Sequence, residues 1–355
     1  MIANGQTWRQ QLALGVTLAL GACGGGSSDP ARPPDSAAAP DIANVVTAAA
    51  PTIQEQQCQA QGWRREVVVA GGTPRLVLWK APSGGEWPRG ALVVMHGGGG
   101  THTNFCVANV ALTEPQVRFT TMALAAGFAV FLLDSSDQVT DSSGRLCGKV
   151  WDDQVNTRAN LDLPYLEQVF ASLIPSKRPG NARGEIFVTG LSSGGYMSVR
   201  AASRFGDRIT AFAPVSSGDP YGWSRDCTPR AGDRSNVFGI AVDVETGRPI
   251  SEIGACQSAG FPNERTWDGA ASTTRPPYKL FHHDGDGIHD LSCVLKVAAQ
   301  LNLHGYPQVP SFRIASTTRE AAWHYWLDEY NAPMLDYFVS FIPARMSTVG
   351  PLYPW

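Results

Sequence analysis

The sequence has little charge and no marked excess of either sign. Charged residues make up 17% of the 355 residues, with 28 lysines and arginines against 31 aspartates and glutamates. Because no basic stripe is visible, a nucleic acid is not an expected partner. Hydrophobic residues make up 43% of the chain, which is enough to bury a sizeable core. The balance predicts a folded globular protein.

The chain also lacks two patterns that would indicate other functions. Its seven cysteines include no Cys-x-x-Cys pair, which argues against zinc and redox sites. The apolar run Leu12–Leu20 is too short for a permanent membrane helix. We therefore predict no metal, no cofactor and no membrane-spanning domain.

The N-terminal residues indicate export. The apolar run ends in Leu20-Gly21-Ala22-Cys23, which resembles a bacterial lipobox. Residues 1–22 would be a signal peptide, and acyl chains on Cys23 would hold the protein at a membrane, since each buried CH₂ contributes about 0.8 kcal/mol. A cleaved signal with a chance cysteine is the alternative. We expect a periplasmic or cell-surface lipoprotein, or one released extracellularly.

Composition divides the remainder into a tether and one domain. The stretch from Gly24 to about Ala50 is rich in Gly, Ser, Pro, Ala and Asp, and we expect a flexible tether over residues 23–57. Residues 58–355 form the predicted catalytic domain. Within it, residues 221–276 are polar and rich in Gly and Pro, which predicts a cap or lid insertion.

The cysteines beyond Cys23 are even in number, which in an exported chain suggests disulfides. Six cysteines allow 15 connectivities, so the sequence leaves the pairing open. Cys227 with Cys256 is a local hypothesis, because both lie in the predicted insertion. The six are Cys58, Cys106, Cys147, Cys227, Cys256 and Cys293.

Strand and helix patterns alternate along the domain. Ala91–Met95 and Phe128–Leu133 are continuous apolar runs, typical of central strands that are covered on both faces. Leu163–Ile174 repeats its apolar residues at helical spacing. The alternation predicts an α/β fold with a mostly parallel central sheet and helices on both faces. Two strands around Gly71-Gly72 suggest an antiparallel hairpin at one edge.

The strongest motif is Gly190-Leu191-Ser192-Ser193-Gly194, a G-x-S-x-G sequence between a predicted strand and a predicted helix. In that context a sharp turn strains the backbone of the serine and exposes its hydroxyl at the sheet edge. The small neighbours allow the turn. The motif predicts Ser192 as a nucleophile, and a Gly/Ser-rich turn without chemistry is the alternative.

A run of four glycines follows a buried strand, in His96-Gly97-Gly98-Gly99-Gly100. Glycines there let backbone N–H groups approach a substrate oxygen. We expect the N–H groups of Gly98 and Ser193 to form an oxyanion hole, with Gly97 or Gly99 as a further donor. A phosphate-binding loop would need a following Lys-Ser/Thr pair, which is absent. His96 itself is predicted to be a structural hydrogen-bonding residue, and His102 a loop residue near the cleft.

A serine hydroxyl needs a base that is oriented by a carboxylate. His324 follows the last predicted strand, where a loop can reach back to Ser192. The acid should follow the preceding strand, which predicts Asp286, with Asp284 and Asp290 as alternatives. The His/Asp cluster around Asp286 also permits a weaker metal hypothesis, but it lacks the later carboxylate of a calcium loop.

Aromatic residues in and beside the predicted insertion offer an apolar surface for a bulky or polymeric acyl chain. They are Tyr221, Trp223 and Trp267. A role in the packing of the lid is the alternative.

These motifs, with the Asp after the penultimate strand and His324-Tyr325-Trp326, resemble those of polyhydroxybutyrate depolymerases and related feruloyl esterases. The resemblance extends from Val67 to Ile342. It implies an α/β-hydrolase fold with Ser192, Asp286 and His324 as catalytic triad, and cleavage of hydroxyalkanoate or feruloyl esters outside the cytoplasm. The four glycines, and the lack of glycine before the His-x-Trp, depart from that family. Gly190–Met197 is also similar to the elbow of oxidised poly(vinyl alcohol) hydrolase.

The sequence therefore predicts a monomeric, exported serine esterase that acts on carboxylic esters, including polymeric ones. A serine peptidase on the same fold is one alternative. A non-catalytic, surface-anchored binding protein is another, although the intact Ser, Asp and His set argues against it.

Overall fold

The computed structural model describes residues 49–139, 149–153, 159–221, 272–289 and 291–343, together with two short strands at 234–235 and 241–242. Several predictions concern residues outside these ranges. They are the signal peptide, lipidation at Cys23, the tether as far as residue 48, most of the insertion with Trp223 and Trp267, the pair Cys227 and Cys256, and Asp290.

Eight strands form the main sheet, in the order β1-β2-β4-β3-β5-β6-β9-β10. The strands are β1 (Arg64–Ala70), β2 (Thr73–Lys80), β3 (Ala91–Met95), β4 (Ala129–Leu133), β5 (Ile186–Leu191), β6 (Ala211–Val215), β7 (Arg234–Ser235), β8 (Ala241–Val242), β9 (Phe281–His283) and β10 (Phe312–Ile314). Strand β2 is antiparallel to both of its neighbours, and the other pairs of the main sheet are parallel. Strands β7 and β8 form a separate antiparallel pair.

Seven α-helices lie in the described ranges: α1 (Ile53–Ala60), α2 (Glu114–Ala125), α3 (Leu163–Gln168), α4 (Ile174–Lys177), α5 (Ser193–Arg204), α6 (Leu291–Leu303) and α7 (Asp328–Val339). A π-helical turn, Val169–Leu173, joins α3 to α4. Pro175 follows that turn and has no N–H to donate to a helical carbonyl. None of the described helices combines the length and the apolar character that crossing a membrane requires.

The central strands are buried on both faces, as β3 shows. Ala91, Val93 and Met95 pack into one apolar cluster with residues of α3, α5 and α6. Leu92 and Val94 pack into the opposite cluster with residues of α2 and α7. Successive side chains of a strand point to opposite faces, so an entirely apolar strand needs cover on both. The predicted mostly parallel sheet with helices on both faces is confirmed, as is the antiparallel hairpin at its edge.

Helix α1 corrects the predicted extent of the tether. The tether was expected to reach residue 57, but α1 begins at Ile53. A capping box begins the helix, because Thr52 Oγ1 accepts the N–H of Glu55 and the Glu55 carboxylate accepts the N–H of Thr52. Cys58 then forms a disulfide with Cys106. The composition of the segment did not reveal the helix, although the Thr52-x-x-Glu55 capping box is a local signal that could have indicated its start. Cys293 is also disulfide-bonded.

Buried charges attach α1 to the segment that follows the four glycines. The His102 imidazole lies with Nε2 3.1 Å from Glu55 Oε1 and Nδ1 3.1 Å from Asp134 Oδ1. Burial disfavours the charged forms, but the mutual contacts outweigh it, so the pKa of His102 is raised and that of Asp134 is lowered. The pKa of Glu55 is lowered to about 2, because contacts with His102 and Thr52 outweigh its burial. His102 was expected to be a loop residue near the cleft, and instead it is a buried ionic partner.

This cluster makes stability sensitive to acid. A carboxyl group whose pKa is lowered by folding stabilises the protein above its ordinary pKa, and that contribution is lost as the pH falls towards the folded value. We expect the free energy of unfolding to fall between pH 4.5 and 2, and to fall less in Glu55→Gln. Urea unfolding at several pH values would measure this. Glu167→Gln, at an exposed position of α3, is the control, and equal acid sensitivity of the two variants would contradict the expectation.

Candidate active site

The segments that carry the predicted site follow strands that all end at one edge of the sheet. Strands β3, β5, β6, β9 and β10 are parallel neighbours, with Met95 opposite Gly190 and Val215 opposite both Leu191 and Phe281. The carboxyl ends of parallel strands therefore bring the glycine run, Ser192 and the loop of Asp286 to the same edge. In open α/β sheets this edge is the usual place for ligands.

Ser192 occupies the turn between β5 and α5 in a strained conformation. Its φ is 51° and its ψ is −118°, in a region that residues with a Cβ seldom adopt. The N–H of Ser192 donates to the carbonyl of Val215, and its own carbonyl accepts the N–H of Tyr196, each at 2.9 Å. The side chain is half-buried. The elbow geometry that the motif predicted is present.

Two glycines make the turn possible. A Cβ at Gly190 would collide with the carbonyl of Gly194. A Cβ at Gly194 would lie 2.5 Å from the carbonyl oxygens of both Met95 and His96. The elbow therefore packs its backbone directly against the end of β3, where the glycine run begins.

His324 and Asp286 are hydrogen-bonded to each other. The His324 Nδ1–H donates to Asp286 Oδ2 at 2.8 Å, and both side chains are buried. The other carboxylate oxygen, Oδ1, accepts the N–H groups of Ile288 at 2.8 Å and His289 at 2.7 Å. The carboxylate thus fixes the orientation of the imidazole and the tautomer that places Nε2 on the far side of the ring.

The electrostatics of this pair keep the acid ionised. Burial alone would raise the pKa of Asp286, but the charge and the hydrogen bond of His324, with smaller contributions from His282 and His289, hold the pKa below its ordinary value. An ionised carboxylate at this position stabilises an imidazolium when His324 takes up a proton.

Neither of the two alternative acids, Asp284 and Asp290, is seen to contact His324 among the described residues. Asp284 forms a two-bond ion pair with Arg313, at 2.8 and 2.6 Å. Asp290 lies outside the described residues. Asp286 is the carboxylate that the structure brings to His324.

The remaining described histidines of the cluster lie around Asp286. The His289 ring stacks on His324 with centroids 5.6 Å apart, and its Nε2 contacts the Tyr196 hydroxyl at 2.5 Å. His282 is fully buried, and burial lowers its pKa to about 4. Among the described residues, no group of three or more His, Cys, Asp or Glu side chains could hold a metal ion.

Some backbone N–H groups of the glycine run donate to other backbone carbonyls, and others have no acceptor among the described hydrogen bonds. The Gly99 N–H donates to the Lys149 carbonyl at 2.7 Å, and the Gly100 N–H donates to the Gly97 carbonyl at 3.0 Å. Within the described hydrogen bonds, the N–H groups of Gly97, Gly98 and Ser193 have no acceptor. A Cβ added to Gly98 would lie 3.9 Å from Ser193 Cβ, so these two residues are near neighbours. Gly99, the alternative donor, has its N–H occupied.

The neighbours of the glycine run include one residue that no motif identifies. The Trp151 indole N–H donates to the His96 carbonyl at 2.8 Å, and its backbone N–H donates to Ser193 Oγ at 2.9 Å. His96 acts as a structural hydrogen-bonding residue, with Nδ1 donating to the Gly97 carbonyl and Nε2 accepting the N–H of Ser135. A single tryptophan in a polar stretch has no sequence signal that would indicate this position.

Of the three predicted substrate-contacting aromatic residues, only Tyr221 is described. Its ring is almost completely buried, and its hydroxyl contacts Ser203 Oγ at 2.5 Å. Tyr221 packs in the main apolar cluster beneath the sheet's helices, and its contact with substrate stays a prediction.

The close backbone approach at Gly194 predicts a large effect of a single methyl group. We expect Gly194→Ala to lower the free energy of unfolding by about 1–3 kcal/mol, because the methyl group meets two backbone carbonyls that cannot move independently of β3. Urea unfolding measures the change. Gly180→Ala is the matched control, since nothing lies within 4 Å of its added Cβ. Wild-type stability in Gly194→Ala would contradict the described packing.

The chain is similar in sequence to a protein that is named as an esterase. The chain is 29% identical to "Putative esterase NocK" of Nocardia uniformis subsp. tsuyamanensis over 256 residues, which are 70% of this chain and 67% of that protein. No family model matches the chain.

Solved structures include Est1E from Butyrivibrio proteoclasticus, at 13% identity and a TM-score of 0.43, with 78% of this chain and 98% of that chain covered. Another is the acylaminoacyl peptidase of Pyrococcus horikoshii, at 13% identity and a TM-score of 0.46. The match covers 79% of this chain and 41% of the peptidase chain. The fold is defined by the chain's own sheet order, its antiparallel second strand and the serine turn between β5 and α5. On this topology the chain has an α/β-hydrolase fold.

Proposed function

We propose that the protein is a serine esterase in which Ser192 is the nucleophile, His324 the base and Asp286 the orienting acid. The observation that carries the proposal is the buried hydrogen bond between His324 Nδ1 and Asp286 Oδ2 at the sheet edge where Ser192 occupies its strained turn. Such a pair serves to activate a hydroxyl. The esterase named among the relatives supports the choice of ester chemistry.

The first half-reaction forms an acyl-enzyme. His324 Nε2 takes the hydroxyl proton as Ser192 Oγ bonds to the ester carbonyl carbon, and the carbonyl electron pair moves to oxygen. The N–H groups of Gly98 and Ser193, with Gly97 as a further donor, donate hydrogen bonds to this oxyanion. The bond to the alcohol then breaks, and the imidazolium returns the proton to the leaving oxygen.

The second half-reaction repeats the chemistry with water. A water molecule gives a proton to His324 Nε2 and its oxygen bonds to the acyl carbon. The same backbone donors hold the new oxyanion. The bond to Ser192 Oγ breaks, the proton returns to that oxygen, and the carboxylic acid leaves. These steps use only this chain's residues and water.

For substrate and location, the proposal follows the resemblance and the N-terminal sequence. The substrates are carboxylic esters of the hydroxyalkanoate or feruloyl type, soluble or polymeric, with oxidised poly(vinyl alcohol) as a related alternative. The protein acts outside the cytoplasm, held to a membrane through Cys23. Side-by-side assays of short-chain, hydroxyalkanoate and feruloyl esters test the substrate class. Mass spectrometry of the mature N-terminus tests lipidation.

The first prediction concerns the nucleophile. Ser192→Ala is expected to abolish hydrolysis of nitrophenyl esters and labelling by a fluorophosphonate, because no other hydroxyl replaces the lost oxygen. Its melting temperature should stay close to that of the wild type, since the side chain is only half-buried. Ser198→Ala, at a buried serine of α5, is the control and should label fully. Absence of labelling in the wild-type protein would favour a non-catalytic binding protein.

The second prediction distinguishes the acid from its neighbour. Asp286→Asn should lower kcat about 10³–10⁴-fold, because an amide cannot hold the required tautomer or stabilise the imidazolium. Asp284→Asn, two residues away and paired with Arg313, should change kcat little. Steady-state kinetics on a nitrophenyl ester compares them. Equal losses of kcat in both variants would show that disturbance of the loop, and not loss of the Asp286 carboxylate, lowers the rate.

The third prediction concerns the bond that is cleaved. We compare nitrophenyl esters with nitroanilides that carry the same acyl groups. The esters should have the higher kcat/KM, and turnover of the amides should be negligible. The opposite preference would identify a peptidase.

A further inference from the structure

We infer that Trp151 is a positioning residue that joins the two halves of the oxyanion hole. One half is the glycine run after β3, and the other is the N-terminus of α5. The inference rests on the proposed function, because it assigns a role within that same site. Trp151 is fully buried and lies between both halves.

The first contact is with the residue after the nucleophile. The backbone N–H of Trp151 donates to Ser193 Oγ at 2.9 Å. Ser193 has two parts with different tasks: its backbone N–H faces the oxyanion, and its hydroxyl, buried, receives Trp151. A hydroxyl is thus required at position 193 although it takes no part in the chemistry.

The second contact is with the residue before the glycines. The indole Nε1–H donates to the His96 carbonyl at 2.8 Å, and the indole lies 5.4 Å from the His96 ring, centroid to centroid. The backbone and the side chain of one residue therefore bind the two elements whose N–H groups must converge.

The residues on the N-terminal side of Trp151 hold the glycine run itself. The Lys149 carbonyl accepts the N–H of Gly99 at 2.7 Å, and Val150 lies where a Cβ on Gly98 would meet it at 3.2 Å. This arrangement uses the Gly99 N–H and leaves those of Gly97 and Gly98 for a substrate oxygen.

The segment is itself anchored to the rigid sheet. The N–H of Asp152 donates to Asp162 Oδ2 at 2.6 Å, and Asp162 Oδ1 pairs with Arg75 of β2 at 2.5 Å. Both charged partners are buried. A buried ion pair with further hydrogen bonds restricts movement, so Trp151 has a fixed frame against which to hold the two halves.

The contacts of Trp151 therefore align the backbone donors of the oxyanion hole. A donor helps only where it meets the oxygen in the transition state, and a small misplacement lowers the rate without weakening ground-state binding. Loss of either Trp151 contact should therefore reduce kcat and leave KM nearly unchanged.

The test uses two variants and two matched controls in the full chain. Trp151→Phe keeps the backbone N–H and removes the indole donor, while Ser193→Ala removes only the hydroxyl acceptor. Trp79→Phe removes an indole donor to Glu66 on the β1–β2 hairpin, and Ser198→Ala removes a hydroxyl that donates to the Gly195 carbonyl. Steady-state kinetics on a nitrophenyl ester and inhibition by phenylboronic acid are measured for the wild type, for these four variants and for the double variant. The boron of the serine adduct of phenylboronic acid is tetrahedral and carries an oxygen that can occupy the oxyanion hole.

We expect kcat to fall about ten- to a hundredfold in Trp151→Phe and in Ser193→Ala, with KM within a factor of two or so. The inhibition constant of phenylboronic acid should rise in parallel. Because both changes release the same alignment, the double variant should lose less than the product of the single losses. The controls should keep wild-type kcat.

The inference is overturned if both variants keep wild-type kcat and boronate affinity, or if their kcat losses equal those of the matched controls. A drop in melting temperature alone does not support it. Wild-type labelling by a fluorophosphonate separates this failure from that of the proposed function: without labelling the esterase proposal itself fails, whereas labelling with unaffected variants removes only the role of Trp151.

Discussion

The structure depends on the close approach of the backbone at the serine turn to the end of β3. Ser192 can hold its positive φ only because glycine at 190 and 194 lets the turn fold back on itself and lie against the carbonyls of Met95 and His96. The same approach that strains the serine brings the N-terminus of α5 beside the glycine run. Strain at one residue and the supply of backbone donors are two results of one packing requirement.

Charged side chains at this edge of the sheet are buried, so each needs hydrogen-bonding or ionic partners. The Asp286 carboxylate is ionised in a buried place because two backbone N–H groups and His324 satisfy its oxygens. Beyond the glycine run, His102 is held between two carboxylates, one of them on the N-terminal helix α1. The disulfide between Cys58 and Cys106 supports the same contact covalently. Buried charged groups with hydrogen-bonding or ionic partners thus lie both at the Asp286 loop and beyond the glycine run.

A short segment between these regions has a role beyond covering the sheet. Trp151 lies where the elbow and the glycine run meet, and its neighbours bond to the run itself. Oxyanion stabilisation needs donors that are already aligned before charge develops, because their realignment during the reaction would cost what the hydrogen bonds contribute. A buried, anchored side chain can supply this alignment, whereas a loop of four glycines alone cannot.

Local sequence determined the parts of this protein that depend on near neighbours along the chain. Continuous apolar runs defined the central buried strands, and the spacing of glycines around Ser192 defined the turn, because both signals lie in neighbouring residues of the chain. The sequence preferred Asp286 but left Asp284 open, and tertiary structure decided between these two carboxylates, because folding pairs Asp284 with Arg313 and brings Asp286 to His324. It also made His102 an ionic partner, linked α1 to a cysteine 48 residues away, and placed Trp151 between two distant segments. Those contacts join residues far apart in the chain, and no local pattern records which distant side chains a fold will bring together.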